Sequence, residues 1–61
     1  MNKTILEIKD EYNTIAGDWN GKDESFTSGG SEYSQDQAHM ALQIVEQAEI
    51  LQRLLNEFKS L

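Results

Sequence analysis

The second half of the chain carries apolar side chains at steps of three and four residues, the spacing that gathers them on one face of an α-helix. No glycine or proline interrupts this stripe. Its central members are Ala41, Ile44, Ala48, Leu51, Leu55 and Phe58, and Met40, Leu54 and Leu61 flank them. Ser34 and Gln37 stand three residues apart, in a capping-box pattern. The pattern predicts a long second helix over about residues 33–60.

A shorter stripe precedes it near the start of the chain. It contains Ile5, Ile8, Tyr12 and Ile15, at the same helical spacing. Thr4 and Glu7 form another capping-box pattern, and Gly17 suits the left-handed position that ends many helices. These features predict a first helix over about residues 4–16.

The connector between the stripes, residues 17–31, contains all four glycines of the chain. Asn20-Gly21 is a strong signal for a hairpin turn, but the residues on either side of it barely alternate between apolar and polar. We therefore expect a glycine-rich loop without strands, and a two-strand ribbon is the less favoured alternative. The predicted fold class is all-α: a single small two-helix hairpin domain over residues 1–61 that assembles into a helical bundle.

The two predicted helices differ in length, and this difference predicts a partner. At ~1.5 Å per residue the second helix reaches ~40 Å and the first only ~20 Å, so an antiparallel hairpin covers half of the longer helix. The expected hairpin core packs Ile5, Ile8, Tyr12 and Ile15 against Ala41, Ile44 and Ala48. The uncovered half supplies the expected interface, namely Ile50, Leu51, Leu54, Leu55, Phe58 and Leu61. A homo-oligomer, with a dimer favoured, would bury these side chains, and a second protein is the alternative partner.

Composition narrows the possible functions. The chain has no cysteine, so disulfides and thiolate zinc sites are excluded. Its net charge of −6 opposes direct binding to nucleic acid or to anionic membranes, and no apolar run approaches the roughly 18 residues that span a bilayer. Glu7 interrupts any signal-peptide core. We expect a cytoplasmic protein without cofactor or metal.

The residues that could act in catalysis or bind a metal do not form a recognisable catalytic site. His39 is the only histidine, and no distinctively placed nucleophile accompanies it, so we interpret it as a surface or interface residue. Oxygen-bearing side chains cluster in the connector, but glycine does not fall where an EF-hand calcium loop needs it. The chain is accordingly predicted not to be an enzyme.

Two short motifs resemble known families of small helical hairpins. Trp19-Asn20-Gly21 is similar to the Trp-x-Gly turn of the WXG100 family, which implies a hairpin exported by type VII secretion. The tail signal of that family is a tyrosine followed four residues later by an acid, but here Tyr33 is followed at that spacing by Gln37. The stretch from Ser34 to Ala38 resembles the Ser-Gln-Glu-Leu-Asp motif of the Spo0E-like aspartyl-phosphate phosphatases. That resemblance implies hydrolysis of an acyl phosphate, but Ala38 replaces the motif's final acid.

The functional prediction is a small acidic, non-catalytic protein for protein–protein interaction or regulation, which self-associates through its second helix. An alternative is an acidic inhibitor or nucleic-acid mimic that docks on a basic site of another protein. Its candidate surface is the acidic cluster around the connector, namely Asp18, Asp23, Glu24, Glu32 and Asp36. A WXG100-like secreted hairpin is the further alternative.

Overall fold

A computed structural model describes residues 3–61 of the chain. The elements follow one another as α1 (Ile5–Gly17), β1 (Ser25–Ser28), β2 (Ser31–Ser34) and α2 (Gln35–Ser60). Both predicted helices form, but the strands between them pair as an antiparallel two-stranded sheet. The all-α prediction is therefore wrong, and so is the prediction of a strandless connector.

The β-hairpin turns at Gly29 and Gly30, not at Asn20-Gly21. Both glycines have positive φ, of 56° and 82°, as a two-residue hairpin turn of type I′ requires. Phe26 pairs directly with Tyr33, and their rings stack with centroids 5.7 Å apart. This cross-strand aromatic pair stabilises a ribbon whose other positions are mostly small or polar.

Asn20 instead organises a tight turn before the hairpin. Its side-chain oxygen accepts hydrogen bonds from the backbone N–H groups of Lys22 and Asp23, at 2.8 and 2.9 Å. Gly21, inside this turn, has a φ of 85°. The indole N–H of Trp19 donates to the carbonyl oxygen of Asp23 at 2.8 Å. The connector thus satisfies its polar groups locally.

Two further hydrogen bonds attach the hairpin to the helices. The backbone N–H of Gln35 donates to the carbonyl oxygen of Glu24 at 2.9 Å, which extends the strand pairing to the start of α2. The hydroxyl of Ser28 donates to a carboxylate oxygen of Asp18 at 2.6 Å, and Ser28 is buried. The hairpin tip is therefore held against the end of α1.

The N-termini of both helices are capped by the predicted hydroxyl side chains. Thr4 accepts from the N–H of Glu7 at 3.2 Å. At α2, Ser34 accepts from the N–H of Gln37 and the Gln37 side chain accepts from the N–H of Ser34, a complete capping box. The helix begins at Gln35 because the residue that caps it is also the last residue of β2.

The C-terminus of α1 differs from the expectation. Gly17 is the last helical residue and does not have positive φ. Asp18 follows in the right-handed helical region, at φ −80°, and its N–H donates to the carbonyl oxygen of Thr14 at 3.1 Å. The helix α1 therefore ends without a left-handed glycine cap, and the chain turns away from it at Trp19.

The molecule is one layer of secondary structure, with overall Cα dimensions of 45 × 24 × 13 Å. Its long dimension accommodates α2, and α1 packs against α2. Among residues 3–61 the buried side chains are small, namely Ala16, Ser28, Ala38, Ala41 and Ala48. A single layer has two open faces, so larger apolar side chains near the seam between the helices keep part of their surface in water.

Candidate interaction surface

Two lines of mostly apolar side chains, each with heptad-like steps of three and four residues, run along α2. We call the first the inner line; it comprises Ala38, Ala41, Val45, Ala48 and Gln52. Its alanines are buried, and Val45 and Gln52 are half-buried. The inner line therefore faces α1, and its small side chains allow the two helices to approach closely.

We call the second the outer line; it comprises Met40, Ile44, Gln47, Leu51, Leu54, Phe58 and Leu61. At ~100° per residue it lies about 110° around the helix from the inner line. Its large apolar members are exposed apart from Ile44, which is half-buried; Leu54 is 53% and Phe58 75% exposed. The outer line therefore projects from a flat face of the layer along most of α2.

The residues predicted for the hairpin core are distributed between the two lines. On α1, all four predicted residues are half-buried, namely Ile5, Ile8, Tyr12 and Ile15. On α2, Ala41 and Ala48 are buried in the inner line, whereas Ile44 belongs to the outer line. The sequence pattern presents these residues of α2 as one stripe. The position of α1 separates them into a covered line and an open line.

The residues predicted for the interface are mostly exposed. Leu51, Leu54, Phe58 and Leu61 belong to the outer line, whereas Leu55, seven residues after Ala48, continues the inner line and is 38% exposed. The side chain of Ile50 is half-buried. As the residue next to Leu51, it points about 100° away around the helix. Sequence reasoning omitted Met40 and Ile44 from this surface, although their spacing from Leu51 continues the same heptad pattern.

A groove runs between α1 and the outer line. It has a volume of about 340 Å³ and is lined by Ile5, Ile8, Met40, Ile44, Ala48 and Leu51, with the amides of Gln43 and Gln47 beside them. Its α2 side extends over residues 40–51, which is ~16 Å at ~1.5 Å per residue. The groove is thus an apolar depression at the end of the layer where both helices are present.

The opposite face of the layer carries an ion pair between the helices. The amine of Lys9 lies 3.5 Å from a carboxylate oxygen of Glu49, an ion pair that joins α1 to α2. On a helical wheel Glu49 and the exposed Leu42 both lie more than about 150° from Leu51. Elsewhere on α1, the Glu11 carboxylate pairs with the Lys3 amine and raises the pKa of that amine above its usual value, through a hydrogen bond and charge attraction.

The remaining sequence candidates have structural partners. The exposed ring of His39 packs edge-on against Trp19, with centroids 5.0 Å apart and planes at 69°. Within the phosphatase-like motif, Ser34 and Gln37 cap each other and Ala38 is fully buried. The described residues contain no group of three or more His, Cys, Asp or Glu side chains placed to hold a metal ion.

No model of a known protein family matches the chain, and no curated protein and no solved structure matches it. In the part of the chain that the structure describes, neither helix has the combination of length and apolar character that crossing a membrane requires. The geometry of the layer and its apolar face is therefore the basis for a functional hypothesis.

Proposed function

We propose that this chain is a non-catalytic protein–protein interaction or regulatory protein that self-associates through the outer line of α2, with a dimer as the favoured form. The observation that carries the proposal is the exposure of Leu51, Leu54 and Phe58 along one face of a single-layer fold. Contiguous apolar surface of this kind is characteristic of interaction sites on soluble domains.

The dimensions of the face support the same proposal. A stable dimer buries ~800 Å² on each partner, and a face of 45 × 24 Å is large enough to provide that area. The inner and outer lines lie about 110° apart, close to the arrangement in a four-helix bundle, where each helix packs against two neighbours. One neighbour of α2 is α1, and the second is proposed to be a helix of another copy.

Sedimentation equilibrium from micromolar to millimolar protein, at low and high salt, tests this proposal. We expect a dimer that is equally stable or more stable at high salt. Apolar contacts do not weaken with salt, and the repulsion between two chains of net charge −6 is screened. A monomer throughout this range, or a dimer that dissociates as salt is raised, would contradict the proposal.

A further inference from the structure

We propose that the two copies pair antiparallel, so that the C-terminal segment of α2 from one copy occupies the groove of the other. This inference rests on the proposed self-association and adds its direction and its contacts. The C-terminal segment is defined here as residues 52–61, which extend past the end of the groove at Leu51. Its apolar side chains on the outer line are Leu54, Phe58 and Leu61.

The groove and the segment match in length and chemistry. The groove extends ~16 Å along α2, and the ten residues of the segment span ~15 Å as a helix. Ile5, Ile8 and Ile44 give the groove aliphatic walls. Leu61 is fully exposed, Phe58 is 75% and Leu54 53% exposed, so each has apolar surface that such walls would remove from water.

Charge complementarity favours the antiparallel direction. The first part of α2, residues 35–50, contains Asp36, Glu46 and Glu49 and neither Lys nor Arg. The C-terminal segment contains Arg53 and Lys59 against the single acid Glu57. Antiparallel pairing brings the net positive segment alongside the net negative part of the partner's α2, whereas parallel pairing brings each part alongside its own kind. Glu49 and Arg53 lie about 160° around the helix from Leu51, so this preference acts between whole segments and not through ion pairs across the outer line.

Coverage by helices favours the same direction. Within one copy, α1 begins at Ile5, and Leu51 is the last residue of α2 that lines the groove with Ile5 and Ile8. In a parallel pair the two C-terminal segments would leave the bundle as a two-stranded coil of ten residues, a length that is marginal for isolated helices. In an antiparallel pair three helices lie side by side at both ends, because each segment lies along the partner's α1 and α2.

A distance measurement between two spin labels tests the direction, and the absence of native cysteine allows one label per chain. Leu61→Cys places the label about ten residues from the two-fold axis of an antiparallel pair, so we expect a separation of ~30 Å along the helices. Gln43→Cys, at the groove rim, places it about eight residues from that axis and should give ~24 Å. The second variant retains every apolar residue of the outer line.

The outcomes separate this inference from the proposed function. Long separations in both labelled dimers support the antiparallel arrangement. Separations below ~15 Å at both positions would establish parallel pairing; they would overturn this inference and leave self-association intact. Unlabelled chains that remain monomeric at millimolar concentration in sedimentation would overturn both.

Discussion

Two leucines of α2 provide a matched test of the interaction surface. Leu51 and Leu42 are the same residue type in the same helix, and both are 48% exposed. They are nine residues apart and therefore project about 180° from each other. Leu51 lies on the outer line and Leu42 on the opposite face. Because the two side chains are equally exposed, truncating either to Ala removes a similar buried area from one copy, so a difference between the variants in dimer stability reports the contact between copies.

The size of that difference follows from the exposure. Complete burial of a leucine side chain stabilises by ~1.5–3 kcal/mol, and about half of that remains to be gained at Leu51 when an interface covers it. A symmetric dimer gains it twice, for a total of ~1.5–3 kcal/mol. Since ~1.4 kcal/mol is a factor of ten, Leu51→Ala should raise the dissociation constant about 10- to 100-fold. Leu42→Ala should change it less than about threefold.

Sedimentation equilibrium of both variants in high salt measures the two constants directly. Thermal unfolding of the dilute proteins is the control, and there we expect equal losses because equal surfaces are buried within one copy. Equal effects of the two variants on dimerisation, or a larger effect of Leu42→Ala, would refute the assignment of the outer line as the interface.

Four substitutions test the stability of the fold, measured by urea unfolding followed by circular dichroism. Gly17→Ala should stabilise by about 0.5–1 kcal/mol, because this helical glycine has open space where a Cβ would stand and no positive φ; Gly30→Ala, at φ +82°, should destabilise by about 1–2 kcal/mol. Equal signs would contradict the turn geometry. Ser28→Ala should cost about 1–2 kcal/mol through the lost hydrogen bond to Asp18, and no loss would show that the hairpin tip is not held there. Ser34→Ala should cost about 1 kcal/mol of helix capping, and unchanged stability would contradict the role of the capping box.

The helices were predictable because their apolar spacing is long and regular. The hairpin was not, because each strand has only four residues and one aromatic side chain, Phe26 or Tyr33, among Ser, Thr and Glu. Too few positions alternate for a period of two residues to be recognised. The usable signal was Gly29-Gly30, since two adjacent glycines permit a turn with positive φ at both positions. The hairpin signal that was considered, Asn20-Gly21, was set aside because its flanks barely alternate, and the asparagine side chain there forms a local turn.

The candidate surface was predictable in part for a different reason. Steps of three residues connect Ala41 to Ile44 and Ala48 to Leu51, and a step of four connects Ile44 to Ala48, so one periodic pattern runs through both lines of α2. Only the position of α1 determines which members are covered. The alanines indicate which members of the stripe α1 covers, because small side chains occur where a neighbouring helix approaches most closely. Separating small from large residues along the stripe would have identified the open line.

The alanine packing between α1 and α2 also bears on how much of this protein is folded in a cell. The buried apolar side chains of one copy are all alanines, namely Ala16, Ala38, Ala41 and Ala48, so folding of one copy removes little apolar surface from water. The free energy of unfolding of a single copy is therefore small. In the proposed assembly, association and folding share one equilibrium, and the melting temperature rises with protein concentration. In that assembly the expression level acts as a control: dilution lowers the stability of the fold and exposes the chain to proteases, whereas accumulation protects it.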